Sequence, residues 1–176
     1  EGKIKLIEDK QEIKKVIRHC REYDIVGFDT ETKPTFKKGQ YHAVALVQLA
    51  LKDMVYLIRV SRTGIDEHLI NFFEDPDTIK LGIGLRDDIK DLQKMKDFND
   101  AGFLDLNEFA ESLEMESIGA RKLSGIFLNG RISKSQQVSN WENPRLTPAQ
   151  MNYAATDAWI CIEIYKKMLA WQQSNL

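Results

Sequence analysis

Val26-Gly27-Phe28-Asp29-Thr30-Glu31, at the end of the run that starts at Ile25, is the stretch whose reading decides the fold. Ile25 to Phe28 is short, apolar and rich in β-branched residues, which is the composition of a buried strand. Side chains alternate along a strand, so Asp29 and Glu31 project to the same side. A D-x-E pair is often an exposed polar edge, but the apolar run before it argues against a solvated strand.

Two further stretches supply acids that could meet this pair. In Tyr153-Ala154-Ala155-Thr156-Asp157 the tyrosine and the aspartate are i and i+4. With apolar positions at Met151, Ala155, Trp159 and Ile162, the segment reads as a helix with Tyr153 and Asp157 on one face. The small Ala154 and Ala155 would let that helix approach a sheet closely. Leu81-Gly82-Ile83-Gly84-Leu85-Arg86-Asp87 leads into Asp88, just past an apolar strand at Ile79 to Ile83. Asp88 then falls near the start of a helix carrying Ile89, Leu92 and Met95, where open α/β sheets gather functional groups.

Each motif has a plainer explanation alone: Asp88 as a helix cap, Tyr153 as a core tyrosine bonded one turn along its helix. Their combination points elsewhere. Asp29, Glu31, Asp88 and Asp157 converging on one point would suit two divalent cations, about 4 Å apart, that clamp the attacking and leaving oxygens of a phosphodiester. Without cations the four acids would repel one another and raise at least one pKa. An oxygen-only ligand set fits Mg²⁺ or Mn²⁺ better than zinc. His19, His42 and His68 are scattered without paired ligand spacing, which also argues against zinc.

The remaining pattern predicts an α/β layer fold. Strands are expected at Lys3 to Ile7, Ile25 to Glu31, Val44 to Leu51, Met54 to Val60, Ile79 to Ile83 and Gly102 to Leu106. Lys52-Asp53 is short enough to close a hairpin. Helices are expected at Lys10 to Arg21, Ile65 to Phe73 and after Asp88, and the last part of the chain reads as mainly helical. Gly82-Ile83-Gly84 lacks the third glycine of a dinucleotide fingerprint, which excludes a Rossmann reading.

With 176 residues, 43% hydrophobic and 30% charged, residues 1–176 are expected to form one domain with a real core. Net charge is −2, and setting the four candidate acids aside turns it to +2. Between Ile118 and Thr147, Arg121, Lys122, Arg131, Lys134 and Arg145 face only Glu142. Lys122, Arg131 and Lys134 are therefore candidate phosphate contacts, with Lys33, Lys37 and Lys38 as a second basic stretch. A solvated face is the alternative for any one of them. Cys20 and Cys161 are far apart, and Cys161 among isoleucines reads as a buried, inert thiol. There is no secretory apolar core and no run long enough to span a bilayer, so an intracellular setting without membrane contact is expected, cytoplasmic if the source is bacterial.

The three motifs, in this order and at these separations, resemble those of the DEDDy 3′-to-5′ exonucleases, the group of ribonuclease D and of polymerase proofreading domains. Lys38-Gly39-Gln40 leading to Ala45-Leu46-Val47-Gln48-Leu49, and Ser139-Asn140-Trp141-Glu142 followed by Leu146-Thr147-Pro148-Ala149-Gln150, look most like the Werner-type exonuclease domain. The resemblance implies a ribonuclease H-like mixed β-sheet flanked by helices. It implies that Asp29, Glu31 and Asp157 bind the metal holding the attacking water, that Asp29 bridges to a second metal, and that Asp88 holds this one through water. Tyr153 would orient or deprotonate the water, and Glu31 would lie near a 3′-terminal hydroxyl. The substrate implied is nucleic acid with a free 3′ end, DNA favoured over RNA, releasing nucleoside 5′-monophosphates. The alternative is a catalytically inactive module that keeps the fold and binds nucleic acid or acts as a scaffold.

Overall fold

The structure, a computed structural model, describes residues 2–113, 125 and 135–174. Six strands form one mixed sheet in the order β1-β4-β3-β2-β5-β6: β1 (Lys3–Ile7), β2 (Ile25–Thr32), β3 (Val44–Ala50), β4 (Met54–Ile58), β5 (Ile79–Gly82) and β6 (Phe103–Asp105). The helices among the described residues are α1 (Lys10–Cys20), α2 (Val60–Thr63), α3 (Glu67–Phe73), α4 (Leu85–Met95), α5 (Leu106–Ser112) and α6 (Pro148–Ser174). This is the α/β architecture expected, with helices on both faces of a mixed sheet.

β2 lies inside the sheet because its first half is apolar on both faces, with Val26 and Phe28 fully buried. It runs antiparallel to β3 and parallel to β5. The hairpin of β3 and β4 closes over Lys52-Asp53, where Leu51 N–H donates to the Met54 carbonyl at 2.7 Å. On one face, α1, α3 and α4 pack Ile13, Val16, Leu69, Phe73, Leu85 and Leu92 against Phe28, Val47 and Leu49. On the other face α6 lays Ala154, Ala155, Ala158 and Ile162 on Leu46, Ala50 and Leu57. It continues with Ile164 and Met168 beside Leu81 and α5.

Several ends differ from the sequence expectation for local reasons. The strand expected to reach Val60 stops at Ile58, because Val60 opens the short helix α2. α3 begins at Glu67 rather than Ile65, since Asp66 accepts the Leu69 N–H and caps it. β5 stops at Gly82 and α4 begins at Leu85, after Gly84 in a left-handed conformation (φ 74°) that any side chain would disfavour. Asp88 thus sits one turn inside α4 instead of ahead of it. The strand expected from Gly102 to Leu106 is only Phe103–Asp105, and Leu106 belongs to α5. On α6, Trp159 is not part of the packed face: it is 37% exposed, while Ala154, Ala155 and Ala158 make the contact.

Candidate active site

β2 pairs with β5 only from Ile25 to Gly27, whereas its pairing with β3 continues to Thr32. Asp29 and Glu31 therefore stand past the end of the parallel pairing, where no strand bonds them on the β5 side. Alternation puts them on the α6 face together with Gly27. A Cβ on Gly27 would overlap the carbonyl oxygen of Ala158 and come within 3.1 Å of the Ala50 Cβ. The missing side chain is what lets α6 lie on β2, and Asp157, next to Ala158, is carried over the two strand acids. β3 adds a bulge at this point. Its register moves from Glu31 opposite Leu46 to Thr32 opposite Val44, leaving Ala45 as the extra residue beside Glu31.

The start of α6 is fixed by a reciprocal cap. Thr147 Oγ1 accepts the Gln150 N–H at 3.1 Å and Gln150 Oε1 accepts the Thr147 N–H at 2.9 Å, with Pro148 at the first helical position. Gln150 Nε2 also donates to Ser139 Oγ at 2.8 Å and to the Asn140 carbonyl at 3.2 Å. The preceding segment is thereby tied to the helix. It brings Trp141, fully buried, against Tyr153 with ring centroids 6.1 Å apart. Arg59 holds the same segment by donating to the Asn143 carbonyl at 2.5 Å and to the Pro144 carbonyl at 3.0 Å.

Asp29, Glu31 and Asp157 each offer one carboxylate oxygen such that all three lie within 4.8 Å of one another. The Tyr153 hydroxyl hydrogen-bonds the Asp157 carboxylate, while Asp157 Oδ1 is buried with no partner. A buried carboxylate oxygen left without a donor, in an oxygen-only cluster of three acids, fits a hard divalent cation. Asp88 approaches from the other side of the sheet. It accepts a hydrogen bond from the Thr30 hydroxyl, and Thr30 alternates with Asp29 and Glu31 on β2. The sequence-predicted acids thus converge as three plus one, with the fourth tethered through Thr30.

Electrostatics agree with an anionic cluster that lacks compensation from the protein. Burial pushes the Asp29 carboxyl well above its usual range, and the charges of Asp88 and Asp157 push it further, against a hydrogen bond from the Thr30 backbone. Burial first, then Asp29, Asp157 and Asp88, raise Glu31 to about 10. Burial raises Asp157 to about 6 despite the Tyr153 hydrogen bond, and raises Asp88 to about 6 despite that from Thr30. The Tyr153 phenol is pushed up by burial and then by Asp157 and Glu31. Cys161 is the buried thiol expected, its Sγ donating to the Asp157 carbonyl at 3.3 Å.

Sequence reasoning missed three supports of the site. Gly27 had no motif of its own, and Thr30 was only the residue between two acids. Asp105 is the third. Its Oδ2 accepts the Leu85 N–H at 2.8 Å and its Oδ1 the Asn107 N–H at 2.9 Å, so it holds the first turn of α4, which carries Asp88. The candidate phosphate contacts Lys122, Arg131 and Lys134 lie outside the described residues. Of the second basic stretch, Lys33 pairs with Glu142 at 3.1 Å, and Lys37 and Lys38 are exposed.

A 3′-5′ exonuclease family model matches residues 4–171. Exonuclease 3′-5′ domain-containing protein 2 of Drosophila melanogaster is 31% identical over 169 residues, 90% of this chain and 29% of that protein. The bifunctional 3′-5′ exonuclease/ATP-dependent helicase WRN of Mus musculus is 31% identical over 152 residues, 82% of this chain and 11% of that protein. The chain therefore spans under a third of the length of these two relatives. Among solved structures, the Aedes aegypti Nibbler EXO domain is similar at TM-score 0.87 and 28% identity, covering 97% of this chain and 89% of that one. Trypanosoma brucei RNase D in complex with RNA U12 is similar in fold, at TM-score 0.84 and 17% identity over 96% of this chain and 63% of that one. The mixed sheet with flanking helices is thus the ribonuclease H-like fold expected.

Proposed function

The chain belongs to the 3′-5′ exonuclease family, and on that premise we propose that it removes nucleotides one at a time from the 3′ end of DNA and releases nucleoside 5′-monophosphates. The observation that carries this reading is the convergence of Asp29, Glu31 and Asp157, with a buried and unpartnered oxygen on Asp157.

In this reading Asp29, Glu31 and Asp157 would hold one divalent cation, and Asp29 with Asp88 would hold a second. Two Mg²⁺ or Mn²⁺ ions there would neutralise the scissile phosphate and make a water acidic enough to attack at neutral pH. The protein's own groups do the positioning. Tyr153, whose phenol is kept protonated by burial and by the neighbouring carboxylates, orients the attacking water through its hydroxyl. In this reading Glu31 would also receive the terminal 3′ hydroxyl. Any added negative charge there meets a carboxylate cluster whose charge is already disfavoured by burial and then by mutual repulsion, so a 3′ phosphate should not be accepted.

Both DNA and RNA present the phosphates that such a site binds. The Werner-type pattern of Lys38-Gly39-Gln40 and Ser139-Asn140-Trp141 supports DNA; the fold likeness to RNase D in complex with RNA favours RNA as the second reading. The test is degradation of matched DNA and RNA oligonucleotides, with a 3′ hydroxyl or a 3′ phosphate, in Mg²⁺ and in excess EDTA. Stepwise mononucleotide release from 3′-hydroxyl DNA, absent in EDTA, is expected. Cutting of a closed circular strand, or undiminished hydrolysis in EDTA, would overturn the reading.

A further inference from the structure

Gln48 lies in the middle of the apolar run Ala45-Leu46-Val47-Gln48-Leu49, and the acid cluster described above makes no use of it. It is fully buried, and neither its Oε1 nor its Nε2 has a hydrogen-bond partner. The ladder of β2 and β3 puts Gln48 directly opposite Asp29. Residues opposite one another in an antiparallel pair project to the same face, so Gln48 emerges beside Asp29 under α6. Its neighbours in alternation, Leu46 and Ala50, pack against that helix. On the β4 side its opposite residue is Leu57, also fully buried and able to offer only apolar atoms. A carboxamide carries two donors and an acceptor, and burying all of them unpaired is unfavourable unless something in the working state pairs with them. The strand residue directly opposite with capacity to accept is Asp29, whose carboxylate belongs to the acid cluster.

The geometry points to Gln48 as a positioning residue of the acid cluster: its Nε2–H donates to the Asp29 carboxylate when that carboxylate holds a cation, fixing which oxygen Asp29 presents. Carboxylates that bind metals are themselves oriented by such outer hydrogen bonds, and losing one commonly weakens metal binding 10- to 100-fold. This role rests on the exonuclease reading but concerns metal binding, which can be measured without turnover.

The variant is Gln48→Met, which keeps the length and approximate volume of the side chain and removes the amide. Calorimetric titration with Mn²⁺ is expected to give a dissociation constant raised at least about 10-fold. The melting temperature of the metal-free variant should be equal to or above wild type, because an unpaired buried amide has been replaced by an apolar group. Excess Mn²⁺ should restore most of kcat. A wild-type Mn²⁺ affinity in the variant, with altered melting alone, would make Gln48 a packing residue and overturn the proposal. If the variant does not fold, the wild-type side-chain amide resonances of Gln48 serve instead. They should shift and become protected from exchange on Mg²⁺ addition, and unchanged resonances at saturating Mg²⁺ would equally overturn it. A wild-type protein that binds Mn²⁺ but degrades no nucleic acid would refute the exonuclease reading while leaving the Gln48 result to stand by itself.

Discussion

The two faces of the sheet are packed by opposite means. Against α1, α3 and α4 the contacts are between large side chains: Phe28 meets Phe73 and Phe103 edge-on at 6.0 and 5.1 Å, and Phe73 tilts on Phe98 at 5.1 Å. Against α6 they are between residues with almost no side chain, Gly27 and Ala50 below and Ala154, Ala155 and Ala158 above. The first arrangement buries much apolar area per contact and stabilises the fold. The second gives up that area so that backbones come close enough for acids on a strand and acids on a helix to share one space. Stability and chemistry are thus served by different sides of the same strand, since Phe28 and Asp29 are neighbours in sequence pointing opposite ways.

The sharpest way to break this division is to substitute one residue from each side. Asp29→Asn should lower single-turnover rate roughly 10³-fold, as loss of a charge-positioning group does. It should also raise the melting temperature of the metal-free protein, because a buried repelling carboxyl has gone. Phe73→Leu should do the reverse, lowering stability by about 1 kcal/mol with kcat unchanged. Equal effects of both on kcat, measured beside thermal melting, would erase the distinction.

Gly27→Ala tests the close approach itself. The new methyl meets the Ala158 carbonyl, and relief requires α6 to shift. A loss of about 1–3 kcal/mol together with roughly tenfold or greater loss of kcat is expected, the two appearing together because one displacement causes both. Stability lost with full kcat would mean that α6 can move without carrying Asp157.

The last test is of pH. Asp88 and Asp157 stand at about 6 against an ordinary 3.8, and Glu31 at about 10 against 4.5. A carboxyl raised on folding keeps its proton in the folded chain after the unfolded chain has lost it. The contribution of these three groups to the stability of the metal-free protein is therefore fully present below about pH 4, falls most steeply between about 4 and 6, and continues to fall towards about 10 through Glu31. Saturating Mg²⁺ should flatten the curve of melting temperature against pH above 6. A metal-free curve that rises from pH 4 to 6 would contradict the repulsion.

The same contrast explains what could be read from the sequence. Asp29, Glu31, Tyr153 and Asp157 were legible because two regular periodicities, two along a strand and 3.6 along a helix, fix which residues share a face. Asp88 was legible as an acid near a strand end but not as one tethered from the opposite face, because its position depends on the Gly84 turn and on Thr30. Gln48 carried no directional signal. All seven residues of β3 are buried, so alternation of polarity is absent there and only the register with β2 reveals where the amide points. Gly27 carries no signal of its own, because the Ala158 carbonyl that leaves no room for a side chain comes from a helix distant in sequence.

The Asp105 carboxylate caps α4 with one oxygen and α5 with the other. Two helix starts that share one acceptor group cannot open independently, since freeing either leaves the carboxylate to be resolvated and loosens the second. In exchange behaviour, the amides of Leu85 and Asn107 then belong to one opening unit although they are distant along the chain. The strand end β6, only three residues long, acts through this group as the hinge pin on which the Asp88 helix is seated.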